Sequence, residues 1–124
     1  MAKTTNQPVA IVTGGSSGIG EATVRRLLSA GYRVYPAARR IERMDGLKSA
    51  GAHPVRLDIT DDASIMALAN TVKAECGRID VLVNNAGYGS YGAVEDVPLD
   101  EARRQFEVNL FGLARLTQLV LPIM

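Results

Sequence analysis

Cysteine, histidine and tryptophan are nearly missing from this chain, which has one Cys, one His and no Trp. With a single cysteine no intrachain disulfide can form. Cys76 falls near the end of a helical pattern and reads as a small buried hydrophobe, in keeping with a reducing, cytoplasmic location. His53 has no nearby Cys or acid partner, which makes it a poor metal ligand. An excess of charge is missing too: 14 Lys and Arg against 13 Asp and Glu leave a net charge of +1. That gives no electrostatic footprint for nucleic acid and no basic helix for a membrane surface. There is no long uninterrupted apolar run. Residues 110–124 are broken by Arg115, Gln118 and Pro122, so no bilayer span is expected. Residues 1–10 hold one lysine, Lys3, and no apolar core of a secretory signal.

What remains is an ordinary mixture, 47% apolar and 22% charged, in 124 residues, which is enough for one domain over residues 1–124. Strand and helix signals alternate. Val9 to Thr13 is a β-branched run that opens directly into glycines. Glu21 to Ala30 has helical spacing and is followed by Gly31 as a stop. Arg33 to Ala38 reads as a second strand, although Pro36 is unwelcome inside a ladder. A short helix is expected around Met44 to Ala50, and a third strand at Pro54 to Leu57. Thr60 and Asp61 can cap a helix from Asp62 to Glu75, whose apolar residues Ile65, Leu68, Ala69, Val72 and Cys76 share one face. Asp80 to Asn84 is a fourth strand, apolar at its centre on both faces. Pro98 introduces a last helix from Leu99 onward. Strands separated by helices imply a doubly wound parallel α/β sheet.

The segment from Thr13 to Gly20 (TGGSSGIG) lies between the first strand and the first helix. A glycine turn there presents the bare N–H groups of a helix start to an anion. Gly14 suits the tight turn, Gly18 lets the backbone approach a diphosphate, and Gly20 lets helix and strand pack closely. The spacing Gly-x-x-x-Gly-x-Gly differs from the Gly-x-Gly-x-x-Gly of the larger dehydrogenases, and no Lys-Ser/Thr follows as in a Walker loop.

This Thr-Gly-x-x-x-Gly-x-Gly segment, with Asp58 after the third strand, Asn84-Asn85-Ala86-Gly87 after the fourth and Asn109 in the last helix, resembles the short-chain dehydrogenase/reductase family. The order and separations agree along essentially the whole chain. The resemblance implies a Rossmann-like, three-layer α/β/α fold with strand order 3-2-1-4. It implies that Gly14, Ser16, Ser17, Gly18, Ile19 and Gly20 lie along a dinucleotide diphosphate. Asp58 would hydrogen-bond the adenine amino group, with Ile59 beside it. Asn84 would brace the sheet, while Asn85, Ala86 and Gly87 would lie at the ribose. In isolation, Asp58 reads first as a helix-capping or turn carboxylate; the other motifs reverse that preference.

Dinucleotide folds choose NAD with an acid after the second strand and NADP with an arginine. Here Ala37-Ala38-Arg39-Arg40 stands at that place. Arg39, assisted by Arg40, would meet a 2′-phosphate with charge-assisted hydrogen bonds, so NADP(H) is expected over NAD(H). The plainer reading is two solvated surface arginines.

The family's chemistry needs a Tyr-x-x-x-Lys pair, because an isolated tyrosine titrates near ~10 and requires a lysine to lower it. Four residues beyond Tyr32, Tyr35, Tyr88 and Tyr91 stand Pro36, Arg39, Gly92 and Glu95, and the lysines are Lys3, Lys48 and Lys73. Only Asn109 of the family's catalytic set is present. The chain is therefore expected to be the cofactor-binding part of a longer enzyme acting on a small-molecule carbonyl or alcohol, and inactive alone. Two other readings stand beside this one: a non-enzymatic NADP-binding module, and a self-associating structural fragment. Asn84 to Gly87 and Asn109 argue against a methyltransferase. Tyr88, Ser90 and Tyr91 either edge a substrate pocket or form a plain surface loop. An apolar edge at Val81 to Val83, with Leu110, Phe111, Leu113, Leu116 and Val120 on the last helix, predicts association, in the family's terms a homo-oligomer.

Overall fold

The computed structural model describes residues 6–124; Lys3 and half of the expected signal-free N-terminus lie outside the described residues. β1 (Val9–Thr13) is buried at every position. It pairs in parallel with β2 (Arg33–Ala38) on one side and with β4 (Val81–Val83) on the other, while β3 (Val55–Arg56) pairs with β2. The order β3-β2-β1-β4 is the expected 3-2-1-4.

Two apolar clusters fill the two faces of this sheet, and the alternation of side chains along the strands assigns residues to them. Val9 and Ile11 of β1 and Tyr35 and Ala37 of β2 join Leu68 and Val72 of α3 (Asp62–Cys76) and Leu116 and Val120 of α5 (Leu113–Val120). Val12 and Val34 point the other way, to Val24 of α1 (Gly18–Ser29) and Leu47 of α2 (Asp45–Ser49). The result is three layers, helix on sheet on helix.

Local signals explain most boundaries. Asp61 caps α3 by accepting from the Ala63 N–H at 3.2 Å, and Gly77, at φ 70°, stops it in the left-handed region. Gly31, at φ 90°, does the same after α1. Pro36 is tolerated for a geometric reason. The carbonyls of Val34 and Ala38 accept from His53 and Leu57 on the β3 side, so the even residues of β2 face β3. The N–H that Pro36 lacks thus falls on the two-residue ladder and not on the long pairing with β1.

Three expectations need correction. The third strand is Val55–Arg56 and the fourth Val81–Val83, both shorter than expected. The fourth strand is only half-buried, because it forms one edge of the sheet. The last helix does not present Leu116 and Val120 outward; both are fully buried against β1 and α3. Its exposed apolar residues are Leu99, Phe106, Leu110, Phe111 and Leu121. This helix begins as α4 (Leu99–Phe106), widens into a π-helical stretch at Glu107–Gly112, and continues as α5. Such a stretch releases the regular backbone ladder and is frequent at functional sites.

Candidate nucleotide site

The site lies at the C-terminal ends of β1, β2 and β4, where the glycine loop leaves β1. At this point parallel α/β sheets leave a crevice. Gly14 (φ 65°) and Gly18 (φ 55°) hold the left-handed conformations of the turn. Gly14 is tied to the sheet through its N–H, which donates to the Ala37 carbonyl at 2.8 Å. Gly20 is required by space: a Cβ there would stand 2.2 Å from the Gly14 oxygen and 2.5 Å from Asn85 Nδ2. Gly15, which the sequence reading passed over, is equally constrained, since a Cβ would come within 2.7 Å of Pro36.

Beside Gly18 a Cβ would meet nothing within 4 Å, so the outer face of the loop is bare backbone. Ser17 occupies the N-cap of α1, is exposed, and its side chain makes no capping bond. The first N–H groups of a 12-residue helix are thus left for an external acceptor. Ile19 stands 79% exposed beside them.

A cleft of about 220 Å3 opens next to this loop. It brings together Gly14, Arg39, Asp58, Ile59, Ala86 and Gly87 from the expected set. Asp58 is fixed by an Asx turn: its Oδ1 accepts from the Thr60 hydroxyl at 2.7 Å and the Thr60 N–H at 3.0 Å. These two bonds, the hydroxyl's first, and the positive charge of Arg39 and Arg104 hold its carboxyl below the usual range. The turn reading and the ligand reading of Asp58 are therefore compatible, since one oxygen serves the turn and Oδ2 remains.

Adjoining it, a second depression of about 330 Å3 is walled by Ser16, Arg39, Arg40 and Arg43. Among the described residues no carboxylate pairs with any of these three arginines. Three guanidinium groups and a hydroxyl around one hollow form a surface suited to a phosphate. Arg43 was missed in the sequence, although it follows Arg40 by three residues, one turn of the Ile41–Met44 3₁₀ helix.

The remaining expected residues stand behind the cleft. Asn85 works as a clasp: Nδ2 donates to the Thr13 and Gly14 carbonyls at 3.2 and 3.1 Å. Thr13 Oγ1 returns the bond by accepting from the N–H groups of Asn85 and Ala86, both at 3.0 Å. Asn84 Nδ2 reaches Thr117 on α5 at 3.2 Å, so it braces β4 to that helix. Asn109, in the π stretch, accepts from the Tyr88 N–H at 3.1 Å and donates to the Tyr88 carbonyl at 2.8 Å. One acceptor and one donor of its amide thus hold a loop, and a second N–H remains. Ala37, Ala38, Leu57, Tyr88, Arg104 and Val108 complete the cleft wall. Arg104 and Val108 come from the helix that carries Asn109, a spacing legible only once that helix is placed.

The geometry and the sequence converge with known proteins. Residues 8–124 match the short chain dehydrogenase family. The chain belongs to that family. It is 40% identical over 116 residues to the "Probable short-chain type dehydrogenase/reductase VdlC" of Helicobacter pylori, covering 94% of this chain and 43% of that protein. A short-chain dehydrogenase structure from Streptomyces avermitilis superposes with a TM-score of 0.91 at 43% identity, over 96% of this chain and 45% of that one. A metagenomic short-chain oxidoreductase solved with NADP gives 0.86 at 37% identity, over 94% of this chain and 56% of that one. The chain therefore spans about half the length of the relatives it matches. No helix among the described residues is long and apolar enough to cross a membrane.

Proposed function

We propose that this chain is the nucleotide-binding part of an oxidoreductase that uses NADP(H) in preference to NAD(H) on a small-molecule carbonyl or alcohol. The observation that carries the cofactor choice is the hollow of Ser16, Arg39, Arg40 and Arg43, unbalanced by any acid on its wall. Arg39 lines both the hollow and the neighbouring cleft, so one side chain can join a 2′-phosphate to the adenosine that Asp58 and Ile59 would receive. The loop from Gly14 to Gly20 would take the diphosphate on bare backbone, and Ala86 and Gly87 would border the ribose. Two relatives by structure were solved with NADP and NADPH, the metagenomic oxidoreductase and an actinorhodin polyketide ketoreductase variant, which supports this reading.

When bound, the reduced nicotinamide supplies a hydride. This chain's residues bind and orient it; a proton donor for the carbonyl oxygen has no candidate among Tyr32, Tyr35, Tyr88 and Tyr91, none of which has a lysine four residues on. We place the donor in further polypeptide, and read residues 1–124 as one domain of that longer enzyme, homo-oligomeric and cytoplasmic. The buried free thiol of Cys76 supports a reducing location. The reading is tested by titrating the chain with NADPH and with NADH and following nicotinamide fluorescence. Tighter binding of NADPH is expected, and equal affinities would remove the arginines from their role.

A further inference from the structure

The segment after Gly87 forms no strand or helix, yet it is held in one place. Its restraints come from one face of the last helix, where Glu101, Gln105 and Asn109 recur every four residues. Asn109 takes both backbone groups of Tyr88. Gln105 Oε1 accepts from the Ser90 N–H at 2.9 Å, and Glu101 accepts from the Ser90 hydroxyl. The two repeats fit. Residues four apart on the helix meet residues two apart on the segment, Asn109 with Tyr88 and Gln105 with Ser90. Gly87, Gly89 and Gly92 give this segment little stiffness of its own. Tyr88 in turn lines the nucleotide cleft, with Val108 and Arg104 of the same helix.

We propose that Glu101 and Gln105 are positioning residues for the nucleotide cleft: with Asn109 they form a ladder that fixes the Tyr88–Ser90 segment, and through Tyr88 the position of the cleft's outer wall. The inference rests on the nucleotide reading above. The ladder sets how far the wall stands from the glycine loop, because the helix that bears it is itself seated at Gly112 on Ile59, which also lines the cleft. Neither residue touches the cleft itself.

The test compares wild type with Gln105→Ala, Gln105→Glu and Ser90→Pro, reading NADPH affinity, thermal midpoint and amide hydrogen exchange at Tyr88 and Ser90. Loss of one such bond should weaken NADPH binding by about fivefold in Gln105→Ala, with faster exchange at Ser90. Gln105→Glu keeps an acceptor oxygen and should restore both. Ser90→Pro deletes both donors, the N–H to Gln105 and the hydroxyl to Glu101, without altering the helix and should reproduce or exceed the loss of affinity, which keeps the test available if Gln105→Ala does not fold. Unchanged affinity in Gln105→Ala or Ser90→Pro overturns the inference, as does unchanged exchange at Ser90 in Gln105→Ala. Wild type that binds no NADPH would defeat the nucleotide reading and this inference with it; wild-type binding that the variants leave intact would defeat only the ladder.

Discussion

The side-chain amide of Asn85 donates to the carbonyl oxygen of Gly14 at 3.1 Å, so the end of β4 closes the glycine loop that leaves β1. Thr13 completes the clasp from the other strand, its hydroxyl accepting from two backbone N–H groups beyond β4. The loop's shape is therefore set by a neighbouring strand as much as by its own glycines. Thr13→Val keeps the shape of the side chain and removes this acceptor. It leaves the Ala86 N–H unpaired, while the Asn85 N–H keeps the Val83 carbonyl at 3.1 Å, and should cost about 1–3 kcal/mol of stability, measurable by urea unfolding. NADPH affinity should fall with it, since the loop loses its anchor.

Arg39 is exposed, unpaired and common to both hollows of the site. Arg39→Asp should reverse cofactor preference, because a carboxylate repels a 2′-phosphate and accepts from a ribose 2′-hydroxyl. Arg43→Ala should weaken NADPH by a smaller factor, about fivefold, and leave NADH unchanged. A titration in which NADH weakens equally would show that Arg43 supports the loop and not the phosphate.

How much of this was legible in the residues follows from the range of each interaction. The fold was, because β-branched runs, helical spacing and stop glycines such as Gly31 and Gly77 are local. The glycine loop, Asp58 and Asn109 were found through motif spacing. What was not legible depended on which face of an element turns inward. Leu116 and Val120 look identical to Leu110 and Phe111 in an apolar run, yet the first pair is buried and the second exposed. Arg104 and Val108 reach the cleft only because the helix of Asn109 crosses it. The need for Gly at 112 is likewise invisible in sequence, since it arises from a contact 53 residues away.

That contact yields a prediction. Gly112 ends the π stretch and packs on the turn after β3, where a Cβ would stand 2.3 Å from the Ile59 carbonyl oxygen. Gly112→Ala gains about 1 kcal/mol in helix propensity. The collision is with backbone, which moves least easily, and such overpacking costs about 1–3 kcal/mol. A net loss of thermal stability is expected. Because Ile59 lines the cleft, NADPH affinity should drop as well. An unchanged or raised midpoint would show that the helix shifts freely.

Asp80 fastens the start of β4 to β1. Its Oδ2 accepts from the Val9 N–H at 2.7 Å, and Arg78 grips both oxygens. The Arg78 bonds, then that of Val9, hold the carboxyl below its ordinary value. A depressed native value means that the stabilisation is complete above the unfolded carboxylate pKa of about 4 and is lost as pH falls through the native one. Asp80→Asn should cost about 1–2 kcal/mol at neutral pH. The gap to wild type should close in acid. A constant gap from pH 7 to pH 3 would mean that the contact is steric and not electrostatic.

The last prediction concerns association. Edge strand β4 offers unpaired backbone on one side, with Val81, Leu82 and Val83 only half-buried. On the helix that follows, Phe106 and Phe111 are 58% and 56% exposed, and Leu99 shares their hollow. Exposed strand edges template pairing, and contiguous apolar patches of this kind mark interfaces. Burying about 400 Å2 of such surface contributes on the order of 10 kcal/mol before the costs of association. The chain is therefore expected to self-associate at micromolar concentration. The burial of Leu116 and Val120 narrows the contact to the Phe106–Phe111 side. Phe111→Asp should then shift sedimentation toward the 13.2 kDa species while leaving the glycine loop and its nucleotide affinity intact. Wild type sedimenting as a stable monomer would refute association outright, and association unchanged by Phe111→Asp would move the contact to the β4 edge.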